Sequence, residues 1–440
     1  MLPFPLARYA FPVLIVVLGF AAGPVSAQNY TWIKSGDGNW NDSHNWLNGT
    51  PPTVVGGADT SLTFTNAATL IPVPFTAYTA TNNLAGTFVL NNLTLDTRFG
   101  AYLTAGYLGL VVGGSNPIQF VTSSLGAAPT ITMSGAAARV ALPMQLFNDT
   151  TISGNGPGHL LLTGLISGGG QLIVNRTSGY TGITHVLGNQ LGFYGGQTII
   201  NGNNTLFTGG VLLQGGNLAY SVLTAGNTPL GTGTITVSGS ATNPASLRVD
   251  AFSSNFLPNA IQLNSTLYYT GNNSGFFSGV ISGSGSLVSV GLGLTLTNAN
   301  TFTGQLVADG GPFRSSGGPI TLSGANGSAL NIAGSVIGPL NGITLDNSGT
   351  NNTNRLPNGL VITGTRGVFT LTGNASATSS ETVGRYMATG FDTIAVANGT
   401  GQSASITFDG ANPIERVNNG VLYVRGTAMG TATPGTANTQ

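Results

Sequence analysis

Charge is the scarcest thing in this chain. Of 440 residues only 12 are Lys or Arg and 12 are Asp or Glu, 5% in all with a formal net charge of zero, where about 25% is ordinary. No basic cluster exists, so the phosphate-neutralising footprint of a nucleic-acid binder is missing. A polybasic segment that would favour an anionic membrane surface is missing too. Cysteine is absent, which removes disulfides, thiolate metal sites and thiol nucleophiles. The single lysine, Lys34, has no P-loop around it. There is no G-x-S-x-G elbow and no H-E-x-x-H, and the three histidines, His44, His159 and His185, are far apart in sequence. Structural or surface roles are the expectation for all three.

What is abundant is glycine, 68 residues, beside a hydrophobic fraction of 41%. That fraction is enough for a core, so the surface must be built from hydroxyls and amides rather than ions. Short runs such as Thr130-Ile131-Thr132-Met133, Leu160-Leu161-Leu162-Thr163, Thr234-Ile235-Thr236-Val237 and Val368-Phe369-Thr370-Leu371 are bounded by Gly, Asn, Ser or Pro. This is the grammar of strands and turns.

Two segments repeat. Gly164-Leu165-Ile166-Ser167-Gly168-Gly169-Gly170-Gln171-Leu172 returns as Gly279-Val280-Ile281-Ser282-Gly283-Ser284-Gly285-Ser286-Leu287. Each leads into an aromatic-Thr-Gly step, Tyr180-Thr181-Gly182 and Phe302-Thr303-Gly304, with a related step at Phe207-Thr208-Gly209. Internal repetition of this kind marks a solenoid. A β-sandwich is the competing reading of short strands. Asn82-Asn83, Asn203-Asn204 and Asn351-Asn352 favour stacking, with amides bonding from rung to rung. The expected fold is therefore all-β, a right-handed parallel β-helix, or β-solenoid, with an N-terminal Trp-rich cap. Roughly 20 residues per rung would give about 20 rungs and a rod on the order of 95 Å.

Five segments are expected. Residues 1–27 read as a secretory signal: Arg8 is the only charge before the apolar run Ala10 to Ala22, and Val25-Ser26-Ala27 fits a cleavage site. An uncleaved anchor is the other reading. Residues 28–65 hold all three tryptophans, Trp32, Trp40 and Trp46, and read as a cap plugging the open end of a core. Trp40 and Trp46 are also the candidate glycan contacts, as an exposed sugar-stacking platform. Residues 66–342 are solenoid repeats, 343–427 an atypical solenoid segment, and 428–440 a Thr/Ala/Gly linker expected to continue in a longer protein.

The Gly-rich repeat with Asn300-Thr301-Phe302-Thr303-Gly304, and Leu230-Gly231-Thr232-Gly233-Thr234-Ile235-Thr236-Val237 after Gly216-Asn217-Leu218, resemble the autotransporter-associated β-strand repeat. The Trp-rich opening is similar to the N-termini of large secreted proteins of planctomycete-like and verrucomicrobia-like bacteria that carry this repeat. The resemblance implies a passenger-type β-helix, exported and displayed outside the cell. It departs from a full autotransporter in that no C-terminal membrane barrel follows.

Catalysis on such a scaffold needs clustered carboxylates. The acids Asp96, Asp149, Asp250, Asp309, Asp346, Glu381, Asp392, Asp409 and Glu415 are scattered. Asp37-x-Asn39-x-Asn41 resembles a calcium loop only faintly, lacking Gly at its sixth position and Glu at its twelfth. No catalytic residue, cofactor or metal is expected. Thr130/Thr132, Thr234/Thr236 and Thr295/Thr297 put paired hydroxyls on one strand face, which an ice-binding surface would also do, although Thr is simply a good strand former. The sequence reads as a secreted or cell-surface structural or adhesive solenoid, non-enzymatic. Its expected partners are further copies of itself or an extracellular polysaccharide, with no nucleic acid and no membrane span after signal cleavage. The alternative is a polysaccharide-binding or polysaccharide-degrading β-helix.

Overall fold

A computed structural model describes residues 27–65, 78–97, 110–135, 137–156, 158–178, 196–221, 226–249, 256–271, 273–310 and 318–427. The expected signal segment (but for Ala27), the 428–440 linker, His185, Asp250 and the Tyr180-Thr181-Gly182 step lie outside these residues. The described residues form strands and two short 3-10 turns, with no α-helix among them, and every strand-to-strand pairing is parallel.

Three ladders of stacked strands run along a common core, as a parallel β-helix requires. The first ladder starts at Gln28–Trp32 and Thr60–Thr65 and reaches Ile281–Gly283. The second starts at Gly38–Asn39 and ends at Ile414–Arg416. The eleven-residue strand Val211–Ser221 turns the corner between them, so the two ladders make one 24-stranded sheet. The third ladder comes in two pieces, one of four strands from Phe88–Leu90 to Ile166–Ser167 and one of eight from Phe256–Leu257 to Val421–Gly426.

Alternation decides what is inside. In Ile235–Val237, Leu267–Tyr269 and Leu294–Leu296 the outer two residues are buried and the middle one is not. Successive strand side chains point to opposite faces, so a three-residue strand contributes two core residues per rung. Stacked identical registers then give columns such as Ile235–Ile261–Ile281 and Leu267–Leu287–Leu306.

The repeat glycines have two physical reasons. Gly168 and Gly283 sit at φ of 108° and 100°, a region that L side chains rarely enter. A Cβ on either would also collide with the backbone carbonyl of the rung before, Leu146 O or Leu263 O. The aromatic-Thr-Gly step closes the next rung over this turn: Thr208 N–H donates to Gly168 O at 3.0 Å, and Thr303 N–H to Gly283 O at 2.9 Å. Phe207 and Phe302 fill the core beneath, both at 0% exposure. The repeat is thus a corner motif shared by two successive rungs.

One expectation needs correction. Rungs are not uniform: 19 residues separate Leu287 from its stacked partner Leu306, and 42 separate Gly38 from Ala80. Among the described residues the second ladder holds 15 strands rather than about 20, and at about 4.8 Å per step these span about 70 Å. The Trp-rich segment caps the N-terminal end, with the Trp46 turn lying over the first rung, and it also supplies Gln28–Trp32 and Thr60–Thr65 as the first two strands of the first ladder. The stack runs on into the atypical solenoid segment, since Gly342–Asp346 pairs with Ile320–Ser323 before it and Val368–Thr372 after it.

Candidate functional site

The tryptophans point inward. Trp32 and Trp40 are 0% exposed and Trp46 is 1%. The turns Ser43–Asn45 and Leu47–Gly49 fold Trp46 back over the first rung, where it forms an antiparallel bridge with Trp32. The Trp32 and Trp46 rings meet edge-on at 5.2 Å, and Trp40 packs on Phe64 and Phe88 at 5.7 and 5.5 Å. Trp46 Nε1 donates to Trp40 O at 2.8 Å. Stacking on a sugar needs an open ring face, and neither Trp40 nor Trp46 has one. The platform is corrected to a buried aromatic plug.

The described carboxylates are not gathered into one cluster. Among the described residues no group of three His, Cys, Asp or Glu side chains could hold a metal ion. Most described acids hold the turns in place. Asp37 Oδ1 accepts the Thr79 N–H at 2.6 Å, Asp149 Oδ1 that of Gln171 at 2.8 Å, and Asp346 Oδ1 that of Ser348 at 2.9 Å. Asp392 accepts from the Gly367 and Gly390 amides. Glu415 pairs with Arg385 at 2.9 Å, and the exposed His44 with Asp42 at 3.0 Å. Asp42 is held below its ordinary pKa chiefly by the His44 backbone N–H.

Two of the buried titratable groups are shifted within the acid-to-neutral range. Glu381, 1% exposed, accepts the backbone N–H groups of Arg355 and Leu356 at 3.0 Å. Burial outweighs those bonds and pushes its pKa up to about 7. His159, 7% exposed, is pushed down to about 4 by burial and then by the Arg176 and Arg248 charges. Beside Glu381, the fully buried Arg355 ties rungs together by donating to Asn347 Oδ1 (2.8 Å), Gly327 O (2.6 Å) and Asp346 O (2.8 Å).

Asparagines do the same work elsewhere, chiefly by amide-to-backbone bonds, with an amide-to-amide bond from Asn243 Nδ2 to Asn175 Oδ1 at 3.1 Å. Asn204 accepts from Ile166 N in the rung before and donates to Pro229 O in the rung after, at 2.8 and 2.6 Å. Asn300 does so between Ile281 and Ser328, at 2.9 Å on each side.

The arrangement most capable of meeting a partner is on the outside of the first ladder. Its register aligns Asn29, Ser61, Asn92, Thr130 and Thr151 in one column. Thr31, Thr63, Thr94, Thr132 and Ser153 form a second column beside it. Neighbouring hydroxyls and amides hold each other along the column: Thr130 Oγ1 donates to Asn92 Oδ1 at 2.9 Å, and Thr132 Oγ1 lies 3.3 Å from Ser153 Oγ. Columns two residues apart lie about 7 Å from each other, with rungs about 4.8 Å apart. Asp96 borders the strip and accepts from Ser134 Oγ at 2.9 Å. The first column ends where Ile173 and then Leu212 take the outward position, and the second runs one step further to Asn175 before it ends at Gly215.

Sequence reasoning named Thr130 and Thr132 and missed the other members. Their signal is present as [Asn/Ser/Thr]-x-[Thr/Ser] at residues 29, 61, 92, 130 and 151. The spacings between copies are unequal, because loops of different length separate the rungs. Thr295 belongs to a single column of the third ladder with Thr321, Thr344 and Thr370. Thr236 stands alone between Leu212 and Gln262. No helix among the described residues is long and apolar enough to cross a membrane. No protein family, no curated protein and no solved structure matches the chain.

Proposed function

We propose that this chain is a structural or adhesive β-solenoid, secreted or held at the outer surface of a bacterial cell, that works by presenting a surface rather than by catalysis. The two-column strip of hydroxyls and amides on the first ladder carries this reading. A strip of neutral donors and acceptors on a stiff ladder can hydrogen-bond a hydroxylated polymer without desolvating ions, which is the expensive step in forming a polar interface. Two of its pairs, Thr130 with Asn92 and Thr132 with Ser153, are already held by each other, which lowers the conformational entropy lost there on contact. The ligand class that fits is an uncharged polysaccharide chain laid along the rod. The likeness to autotransporter-associated β-strand repeats supports the extracellular setting, and the polar turns support solubility there without charge.

The polysaccharide-binding alternative merges with this reading, whereas degradation has less behind it, because most described acids are occupied with backbone amides. The test is sedimentation of the protein with insoluble neutral polysaccharides. Thr94→Lys and Thr132→Lys, at half-buried outward positions, should each lower retention at least tenfold with an unchanged β-sheet circular dichroism spectrum. Retention that ignores both substitutions would refute the strip as the contact. Release of new reducing ends would move the protein to the enzymes.

A further inference from the structure

A second uncharged strip lies on another face of the rod. On the third ladder Phe256, Phe276, Thr295, Thr321, Thr344 and Thr370 stack in one outward column. Ser323, Asp346 and Thr372 form a shorter column beside it. The two phenylalanines begin the strip, their rings stacked at 5.1 Å with 26° between the planes. Phe256 is 50% exposed, whereas Phe207 and Phe302 under the glycine corners are at 0%. Phe276 covers one face of the Phe256 ring, so its exposed half lies on the opposite face and the edge. The four threonines are half-buried, and no hydrogen bond to another described residue engages their hydroxyls. The first-ladder strip differs on both counts: its columns hold no aromatic ring, and its Thr130 and Thr132 hydroxyls are already engaged.

Given that the first-ladder strip is a polysaccharide contact, we propose that the third-ladder strip is a second one, and that the pair lets one rod cross-link uncharged polysaccharide chains. A sugar ring has an apolar face of C–H groups and a rim of hydroxyls. Phe256 with Phe276 offers an apolar surface for such a face, and the threonines continue it with hydroxyls that both donate and accept. Charge selects a neutral polymer. The one ion in the two columns is Asp346, half-buried and already accepting the Ser348 N–H, so an anionic chain would meet repulsion and no compensating cation. Size selects a slender polymer. Five steps of about 4.8 Å make the strip about 24 Å long, and two columns make it about 10 Å wide. The resulting area, roughly 240 Å², is far below the ~800 Å² per partner of a stable protein interface, so a second copy of this chain is not the occupant. One straight polymer laid along the rod cannot touch both strips. The first ends at Asn175, and its ladder passes through three more pairings before Ile261–Leu263, the strand that follows Phe256–Leu257 in the chain. The strips are thus about 14 Å apart along the rod, on different faces. Two separate sites on one stiff body bind two chains, and on a particle carrying many chains they gain avidity over either site alone.

The test uses the full chain with microcrystalline cellulose and insoluble starch, reading retention by sedimentation and cross-linking by clumping of the particles. The wild type should be retained on at least one of the two and should clump it. Phe256→Ala and Thr344→Lys, both at outward positions, should each lower retention at least tenfold and abolish clumping, with an unaltered circular dichroism spectrum. Thr344→Ser, which keeps the hydroxyl, should retain both properties. Combining Thr344→Lys with Thr94→Lys should remove retention altogether. Clumping that survives Thr344→Lys, or retention indifferent to both Phe256→Ala and Thr344→Lys, would overturn the second site and leave the first strip standing. Retention that falls with Thr344→Lys but ignores Thr94→Lys would leave one contact only, on the third ladder, and would overturn cross-linking. A wild type retained on neither particle would remove the ligand class itself, and both sites with it.

Discussion

At the residue scale, the few ions of this protein are set against each other. Glu381 has a folded-state pKa of about 7, above its ordinary 4.5. The native state therefore holds this proton more tightly than the unfolded chain, and stability falls as pH rises from about 4.5 to 7. His159 is displaced the other way, to about 4 from 6.5. Here the unfolded chain takes the proton first, so stability rises with pH between about 4 and 6.5. The windows overlap and the slopes have opposite signs, each at most about 1.4 kcal/mol per pH unit. Wild-type stability between pH 4.5 and 6.5 should therefore be nearly flat. Glu381→Gln, which keeps an acceptor for the Arg355 and Leu356 amides, should leave a rising profile. His159→Gln should leave a falling one. Urea titrations across that range read the slopes directly, and parallel profiles for the three proteins would contradict the assignment.

At the element scale, the unit is the corner rather than the strand. A three-residue strand cannot hold itself, and its rung is tied by Asn204- or Asn300-type bridges and by a buried aromatic under a glycine turn. Asn300→Ala strands the Ile281 N–H and the Ser328 C=O, and should cost about 1–3 kcal/mol for each buried group left unpaired. Phe302→Ala should cost about 3–5 kcal/mol by opening a cavity in the core. Gly283→Ala should be worse than its size suggests, because a positive φ and the Leu263 carbonyl both oppose the methyl. Equal chemical denaturation midpoints for Gly283→Ala and the wild type would show that the turn is not constrained as described.

At the scale of the whole molecule, each rung touches only its neighbours, so stability is a sum of local terms along a line. All three tryptophans lie in the first rung's surroundings. Their fluorescence should report the N-terminal rungs alone. Trp46→Ala should uncover that end and lower hydrogen-exchange protection in Thr60–Thr65 and Tyr78–Asn82, while Val361–Gly364 and Val368–Thr372 keep theirs. Loss of protection along the entire rod would mean a single cooperative unit.

Much of this was legible in the chain itself. Period-two alternation, glycine at the turns and near-absent charge determined an all-β stack with a neutral surface, because each acts through the residue that carries it. The inward core columns followed from the same alternation. Three things depended on the tertiary fold. Rung length is set by loops that vary from corner to corner, so which residues stack could not be counted off from a period. The burial of Trp40 and Trp46 came from a turn that doubles back over an open core, and composition does not give a turn its direction. The hydroxyl columns needed register, since Asn29 and Thr151 become members of one surface only when the rungs between them are in place.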